Sequence, residues 1–160
     1  VVRLVGSEMC IRDSINAYAF VMNKNLARYK EEVNARELLV QAFYELSFGH
    51  NDPKIIENSF TKNFVKKKVN YIFFKDIFQF VVKNKADLKE QIKNKAELEM
   101  FGILKVETME ENIIFIALAE AELFQTPKAV LIDEGIRLSK KFGADSSYKF
   151  VNATLEKILN

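Results

Sequence analysis

The residues that could perform catalysis or bind a metal are few in this chain. His50 is the only histidine, and it stands in a Gly-His-Asn-Asp turn where a solvated loop position is the simplest interpretation. Cys10 is the only cysteine. One thiol and one imidazole exclude zinc sites built from several thiolates, do not support Cys–His catalysis, and allow no intramolecular disulfide. This cysteine usage predicts a reducing compartment, the cytoplasm.

Carboxylates occur in adjacent pairs, as in Glu110-Glu111 and Asp133-Glu134. Adjacent residues point to different sides of a helix, so neither pair is a ready acid/base dyad, and we expect Asp133 and Glu134 to face water. The sequence contains no glycine-rich phosphate-binding loop. We therefore predict no catalytic residue, no metal, no cofactor and no small-molecule substrate, and we do not expect an enzyme.

The charged residues are distributed unevenly along the chain. Residues 54–105 hold 12 Lys against 6 acidic residues, whereas residues 106–136 hold 7 acidic residues against 1 Lys. The formal net charge is only +2, so a near-neutral total hides basic and acidic segments. Separate basic and acidic faces suit a protein with two different partners. The alternative, that these are merely solvated helix faces, stays open.

Helices must position these residues. Apolar side chains recur at helical spacing, and the chain has only 5 Gly and 2 Pro to interrupt them. We predict an all-α fold of about seven helices, with segments at 32–48, 53–64, 70–82, 88–98, 108–121, 127–142 and 146–159. The segment at 70–82 is apolar nearly all round, which predicts a central position. The longest strictly apolar run, residues 113–119, is far shorter than the ~20 residues that cross a bilayer, so no membrane partner is expected.

Several residues predict where the helices begin and end. Asp52 before Pro53 indicates an N-cap followed by the first helical residue, and Asn70 is a second N-cap. Thr108 and Glu111 have the spacing of a capping box. Thr126 before Pro127 indicates an N-cap in the same way as Asp52 before Pro53, and Gly143 is the expected C′ residue of the helix that follows. Asp145 or Ser146 is expected to cap the last helix.

The first residues stand apart from this pattern. Residues 6–14, Gly-Ser-Glu-Met-Cys-Ile-Arg-Asp-Ser, resemble a translated sequencing adapter. We expect residues 1–21 to be a non-native, poorly ordered leader, and residues 22–160 to form one helical domain that starts at Met22.

Two stretches of the sequence resemble a known protein family. Residues 35–44 (ARELLVQAFY) are similar to the first helix of NusB proteins. Residues 130–143 (VLIDEGIRLSKKFG) and 147–158 (SYKFVNATLEKI) are similar to the last two helices of that family. The resemblance spans about residues 28–158. Asp133 and Gly135 replace a frequent Asn and Ala, and the family's Arg-rich N-terminal cluster is diluted.

The resemblance implies a compact bundle of two packed helical subdomains that binds RNA. Such proteins bind boxA-type single-stranded RNA together with a ribosomal small-subunit protein that acts as NusE. The pair acts on RNA polymerase in an antitermination complex, chiefly in rRNA operons. The RNA-binding residues implied by position are Lys24, Arg28, Lys30, Arg36, Tyr148, Lys149 and Phe150. The protein-partner residues implied in the same way are Tyr44, Glu110 and Glu120.

These implied roles are physically reasonable. Cations neutralise phosphates, and an aromatic ring such as that of Tyr148 stacks on an exposed base. Acidic residues suit a basic ribosomal protein. Charge reversal at Arg36 and Lys149 is then expected to weaken RNA binding without unfolding the domain. The alternatives are that Phe150 is a core residue, that Tyr148 is a surface aromatic, and that the acidic residues are only solvated.

Two other functions remain open at this stage. One is an RNA-binding module related to the N-terminal domain of an rRNA cytosine methyltransferase, although such enzymes continue into a Rossmann-like domain and no G-x-G-x-x-G stretch is present. The other is a helical protein-interaction module without RNA binding, which the diluted N-terminal basic cluster favours.

Overall fold

The computed structural model describes residues 29–63, 68–96 and 105–159. These residues form six α helices and no strand, which confirms the all-α prediction. The helices are α1 (Lys30–Ser47), α2 (Pro53–Asn63), α3 (Tyr71–Lys95), α4 (Thr108–Phe124), α5 (Lys128–Phe142) and α6 (Ser147–Ile158). The predicted leader, residues 1–21, lies outside the described residues. None of the six described helices is long and apolar enough to cross a membrane.

The central helix of the bundle is α4. Its residues 112–120 are all buried, and it packs against α1, α3, α5 and α6. A continuous apolar run without helical period predicts such a position, because a helix that is apolar all round must be enclosed by others. The central position predicted for the first part of α3 is wrong: that part buries one face and exposes Ile72, Lys75 and Gln79 on the other.

A column of phenylalanine rings joins the first three helices. The centroids of Phe43 and Phe78 lie 5.2 Å apart, those of Phe78 and Phe74 5.9 Å, and those of Phe74 and Phe60 6.3 Å. All four rings are buried. Aromatic pairs at these separations contribute about 0.5–1.5 kcal/mol each beyond the burial of their area, so the column stabilises α1, α2 and α3 as one unit.

Two of the predicted helix caps form and three do not. The backbone N–H of Lys54 donates to Asp52 Oδ1 at 2.7 Å, and that of Phe73 donates to Asn70 Oδ1 at 3.0 Å. The capping box at Thr108 is wrong, because Thr108 is already the first helical residue and Glu107 occupies the N-cap position. The side chain of Glu107 makes no cap hydrogen bond, and its backbone N–H donates to the carboxylate of Glu110. Pro127 and not Thr126 occupies the N-cap position of α5, and Ser146 at the N-cap of α6 makes no side-chain cap hydrogen bond.

The segments predicted at 70–82 and 88–98 are one helix, α3, of 25 residues. A kink at Asn84, with φ −108° and ψ 15°, separates its two halves. Asn84 Nδ2 donates to the carbonyl oxygen of Phe80 at 2.8 Å, so its side chain bonds the backbone of the preceding turn at the kink. The chain continues as a helix because the residues around Asn84 include no Gly or Pro. This continuity explains why the described residues hold six helices where seven were predicted.

Candidate nucleic-acid interface

The start of α6 carries three of the predicted RNA-binding residues, and the helix separates them. Consecutive helical residues are rotated by about 100°, so neighbours in sequence face different surroundings. Lys149 is exposed and Tyr148 is half-buried, whereas Phe150 lies in the core with 2% of its surface exposed. Two of the three side chains therefore reach the surface, and Phe150 occupies the core position that the sequence had left as its alternative.

A third accessible residue, Lys140, joins this surface from the last turn of α5. Its Nζ lies 5.0 Å from the centroid of the Tyr148 ring, in cation–π range. We call Lys140, Tyr148 and Lys149 the α5–α6 cluster. Sequence reasoning missed Lys140, because its approach to Tyr148 depends on the turn between the two helices.

Gly143 makes that turn possible. A Cβ atom at this position would lie 2.7 Å from the carbonyl oxygen of Ser139 and 2.8 Å from Ser147 Cβ. The glycine was predicted at C′, one position beyond the helix end, and is instead the C-cap of α5. Its φ of −90° is ordinary for any residue, so space and not backbone conformation requires glycine here. The N–H of Ala144 donates to Ser147 Oγ at 3.1 Å, which ties the turn to the first residue of α6.

Glu110 supports the same turn from inside. It lies in the first turn of α4 with 6% of its surface exposed, and its carboxylate accepts a hydrogen bond from Ser147. Burial raises the pKa of Glu110, and the hydrogen bond from Ser147 only partly opposes this rise. Its Oε2 atom has no hydrogen-bond partner among the described residues. Glu110, predicted as a protein-partner residue, is therefore placed inside the molecule behind the α5–α6 cluster.

Arg36 and Glu120 were predicted on two different binding surfaces, and the structure places them against each other. Arg36 Nη2 and Nε donate to the two carboxylate oxygens of Glu120 at 2.6 and 2.8 Å, and Nη1 donates to Glu134 Oε2 at 3.3 Å. Arg36 is 6% exposed and Glu120 2%. Burial alone would lower the pKa of Arg36, but the hydrogen bonds and charge of Glu120 outweigh it and raise the pKa. In this arrangement neither group is available to a partner.

The ion pair continues outward between α5 and α1. Arg137 donates two hydrogen bonds to Glu134, at 3.1 and 3.0 Å, and one to Glu37 at 2.7 Å. Lys141 Nζ donates to the other oxygen of Glu37 at 2.6 Å. Burial would raise the pKa of Glu37, but the hydrogen bonds from Lys141 and Arg137 lower it. The expectation that Asp133 and Glu134 face water is correct for Asp133 and wrong for Glu134.

The other predicted residues are scattered. Lys30 is exposed at the first position of α1, and Lys24 and Arg28 lie outside the described residues. Tyr44 is 43% exposed near the end of α1, where its ring meets that of Phe48 edge to face at 4.9 Å. Phe48, which is 56% exposed, was not predicted and enlarges the apolar surface around Tyr44. Of the three predicted protein-partner residues, only Tyr44 is exposed.

The sequence of this chain matches a known protein family. The model of the NusB family matches residues 33–160, which include nearly all of the six helices and the whole α5–α6 cluster. The chain belongs to the NusB family. The family resemblance identified from residues 35–44 and 130–158 is thereby confirmed.

Several NusB relatives are similar over most of their length. Transcription antitermination protein NusB of Klebsiella pneumoniae (strain 342) is 36% identical over 126 residues, which are 77% of this chain and 87% of the relative. The protein of the same name from Shewanella baltica (strain OS155 / ATCC BAA-1091) is 34% identical over 130 residues, 81% of this chain and 95% of the relative. The solved structure of T. maritima NusB has a TM-score of 0.64 at 24% identity, covers 79% of this chain and 88% of its own, and shows that the NusB fold is shared.

Proposed function

We propose that this NusB-family chain is a transcription antitermination factor that binds boxA-type single-stranded RNA. It does so together with a ribosomal small-subunit protein acting as NusE, and the complex acts on RNA polymerase, chiefly in rRNA operons. The family membership and the names of the relatives support the antitermination role. The single observation that carries the RNA-binding part is the α5–α6 cluster.

The cluster has the chemistry that single-stranded RNA needs. A half-buried Tyr148 ring offers a stacking surface to a base. Lys140 lies beside the ring and Lys149 is exposed at the next position of α6, so the phosphates that flank a stacked base would meet cations. The start of α6 adds backbone N–H groups and the positive end of a helix dipole. Lys24, Arg28 and Lys30 remain proposed RNA contacts, and Arg36 and Phe150 contribute by shaping the surface from inside.

The protein partner is proposed to contact the end of α1. Tyr44 and Phe48 form an exposed aromatic pair there, and aromatic residues are enriched at the centres of protein interfaces. Glu110 and Glu120 lie too deep for direct contact in this conformation. Their proposed contribution is to hold α4 in place beneath the two surfaces.

A second candidate, a helical protein-interaction module without RNA binding, is favoured by one observation. Arg36 belongs to the N-terminal basic cluster, and its hydrogen bonds in the described residues go to Glu120 and Glu134 inside the domain. RNA titration separates the two candidates, because only the first predicts affinity that falls steeply with salt.

The test is a titration of labelled boxA-type RNA at two salt concentrations, with and without the partner protein. We expect Lys140→Gln with Lys149→Gln to weaken binding and to reduce the slope of log affinity against log salt by about 1.4, since each phosphate contact on a single strand contributes about 0.7. Tyr148→Ala should weaken binding by about 1–3 kcal/mol through lost stacking.

Lys54→Gln with Lys62→Gln is the matched control. It removes the same two charges from exposed positions on α2, away from the cluster, and should leave affinity and salt slope close to those of the wild type. Equal affinity of the wild type for a scrambled RNA would refute boxA recognition. A double variant at Lys140 and Lys149 that behaves like the control would refute the assignment of the cluster.

A further inference from the structure

The second half of α3 carries a ridge of lysines that the proposed function does not use. Lys85, Lys89 and Lys93 are spaced by four residues, so they share one face of the helix over about 12 Å. We call these three residues the α3 ridge. The residues 83–95 hold five Lys against two acidic residues. Leu88 and Ile92 bury the adjacent face of this half-helix in the core.

Among the described residues, the ridge is largely uncompensated. Lys89 and Lys93 are exposed and Lys85 is half-buried. Of the three, only Lys89 has an ion pair within the described part of the chain, to Glu111 Oε2 at 3.2 Å. Like charges four residues apart destabilise a helix by a few tenths of a kcal/mol per pair, so the row carries a small internal cost. A polyanion laid along it would remove that repulsion.

Contacts in the bundle connect the ridge to the α5–α6 cluster. Lys89 pairs with Glu111 at the start of α4, and the adjacent Glu110 accepts a hydrogen bond from Ser147 at the start of α6. Helices α3 and α6 also pack directly against each other. The ridge and the cluster are thus joined through the first turn of α4, and the kink at Asn84 separates the ridge from the apolar first half of α3.

We propose that the α3 ridge is a second RNA contact, which binds the phosphates of nucleotides flanking the element held by the α5–α6 cluster. This inference rests on the proposed function, since it extends the same RNA strand. Lysines are suited to this role because they neutralise phosphates without reading bases. The ridge therefore adds affinity and salt dependence for longer RNAs, and adds no sequence preference.

The experiment compares a short and an extended RNA on the full chain. The short probe is a boxA-type RNA of about 12 nucleotides, and the extended probes add about 12 uridines to its 5′ or its 3′ end, so that each part has the length of a single-strand binding site. For the wild type we expect one extended probe to bind about tenfold more tightly than the short one, with a salt slope steeper by about 2 for three added phosphate contacts.

The ridge variant replaces Lys85, Lys89 and Lys93 with Gln, which has a similar helix propensity. It should lose the gain from extension and bind the short probe like the wild type. The matched control replaces Lys54, Lys62 and Lys75 with Gln; it removes the same charge from exposed positions on α2 and the first half of α3, and should keep the gain. Circular dichroism of each variant verifies that the helices are intact.

The outcomes separate this inference from the function on which it rests. A wild type that gains nothing from either extension, or a ridge variant that keeps the gain, overturns the ridge while short-probe binding upholds the proposed function. A ridge variant that loses affinity for the protein partner but keeps the gain from extension also overturns it, since the ridge would then serve a protein. Absence of any short-probe binding by the wild type overturns both.

Discussion

Arg36 and Glu120 are oppositely charged side chains held almost entirely inside the protein, and their positions set their role. Removing two charges from water costs several kcal/mol per ion, and this cost is offset only when geometry and hydrogen bonding are good. The two-bond contact between the guanidinium and the carboxylate, with Glu134 as a third member, meets that condition. Charge reversal at Arg36 would place three carboxylates together, so we now expect it to unfold the domain, in place of the earlier expectation that the fold would survive.

Replacing Arg36 by Met is predicted to lower the free energy of unfolding by about 3–5 kcal/mol, because it leaves the Glu120 carboxylate buried without its partner. The double variant Arg36→Met with Glu120→Leu should recover most of that loss. Urea unfolding followed by circular dichroism measures both, and the pair of variants forms a double-mutant cycle.

Arg137→Met is the control for this residue-scale prediction. Its side chain is 29% exposed and bonds the same Glu134, so solvent limits its loss to about 1 kcal/mol. If Arg36→Met lowered the free energy of unfolding by no more than Arg137→Met, the buried ion pair would not have the stabilising role that its geometry indicates.

At the scale of elements, two glycines decide how closely α5 and α6 pack. A Cβ atom at Gly143 would strike the backbone oxygen of Ser139, which cannot move without breaking the last turn of α5. A Cβ atom at Gly135 would meet Leu155 Cδ1 at 2.7 Å and Val151 Cγ1 at 3.3 Å, which are the ends of side chains. A side chain at Gly143 would therefore have to displace the backbone, whereas one at Gly135 would have to displace only the ends of side chains.

Gly143→Ala is predicted to destabilise the domain by about 1–3 kcal/mol through this clash. Gly135→Ala should be close to neutral, because Leu155 can shift its terminal methyl group and alanine favours the helix interior by about 1 kcal/mol. Thermal unfolding of the two variants side by side measures the difference. A larger loss at Gly135 than at Gly143 would show that the core around Leu155 is the less adaptable neighbour.

At the scale of the whole molecule, the six described helices share one continuous core. Buried residues from every helix belong to a single cluster, with α4 at its centre. A domain of this size with one core is expected to unfold in a single cooperative transition. A buried charge in any one helix should therefore remove the structure of all of them.

Ile132→Asp tests this cooperativity. Ile132 is 8% exposed on α5, and an unpaired carboxylate there should unfold the domain or lower its melting temperature sharply. Val130, two residues earlier, is 42% exposed, so Val130→Asp should leave the melting temperature nearly unchanged. Loss of α5 alone, with the remaining helical signal intact, would contradict a single cooperative core.

Much of the fold was predictable because it depends on local patterns. Helical spacing of the residues predicts the helices and the solvent-exposed lysines of α3. Residue type just before a helix predicts the caps at Asp52 and Asn70. The kink at Asn84 was not predictable in the same way, since two helices and one bent helix have the same apolar pattern. The family itself was identifiable from residues 35–44 and 130–158.

The candidate site depended on tertiary structure. The family resemblance predicted Tyr148 and Lys149 as RNA-binding residues, but the contact between Tyr148 and Lys140 depends on the turn at Gly143 that brings α6 back along α5. Sequence also placed Arg36 and Glu120 on separate binding surfaces, although 84 positions of chain separate them and the fold joins them in one buried ion pair. A residue's type and local spacing determine which helix face it occupies, whereas its partners across the bundle are decided only by how the helices pack.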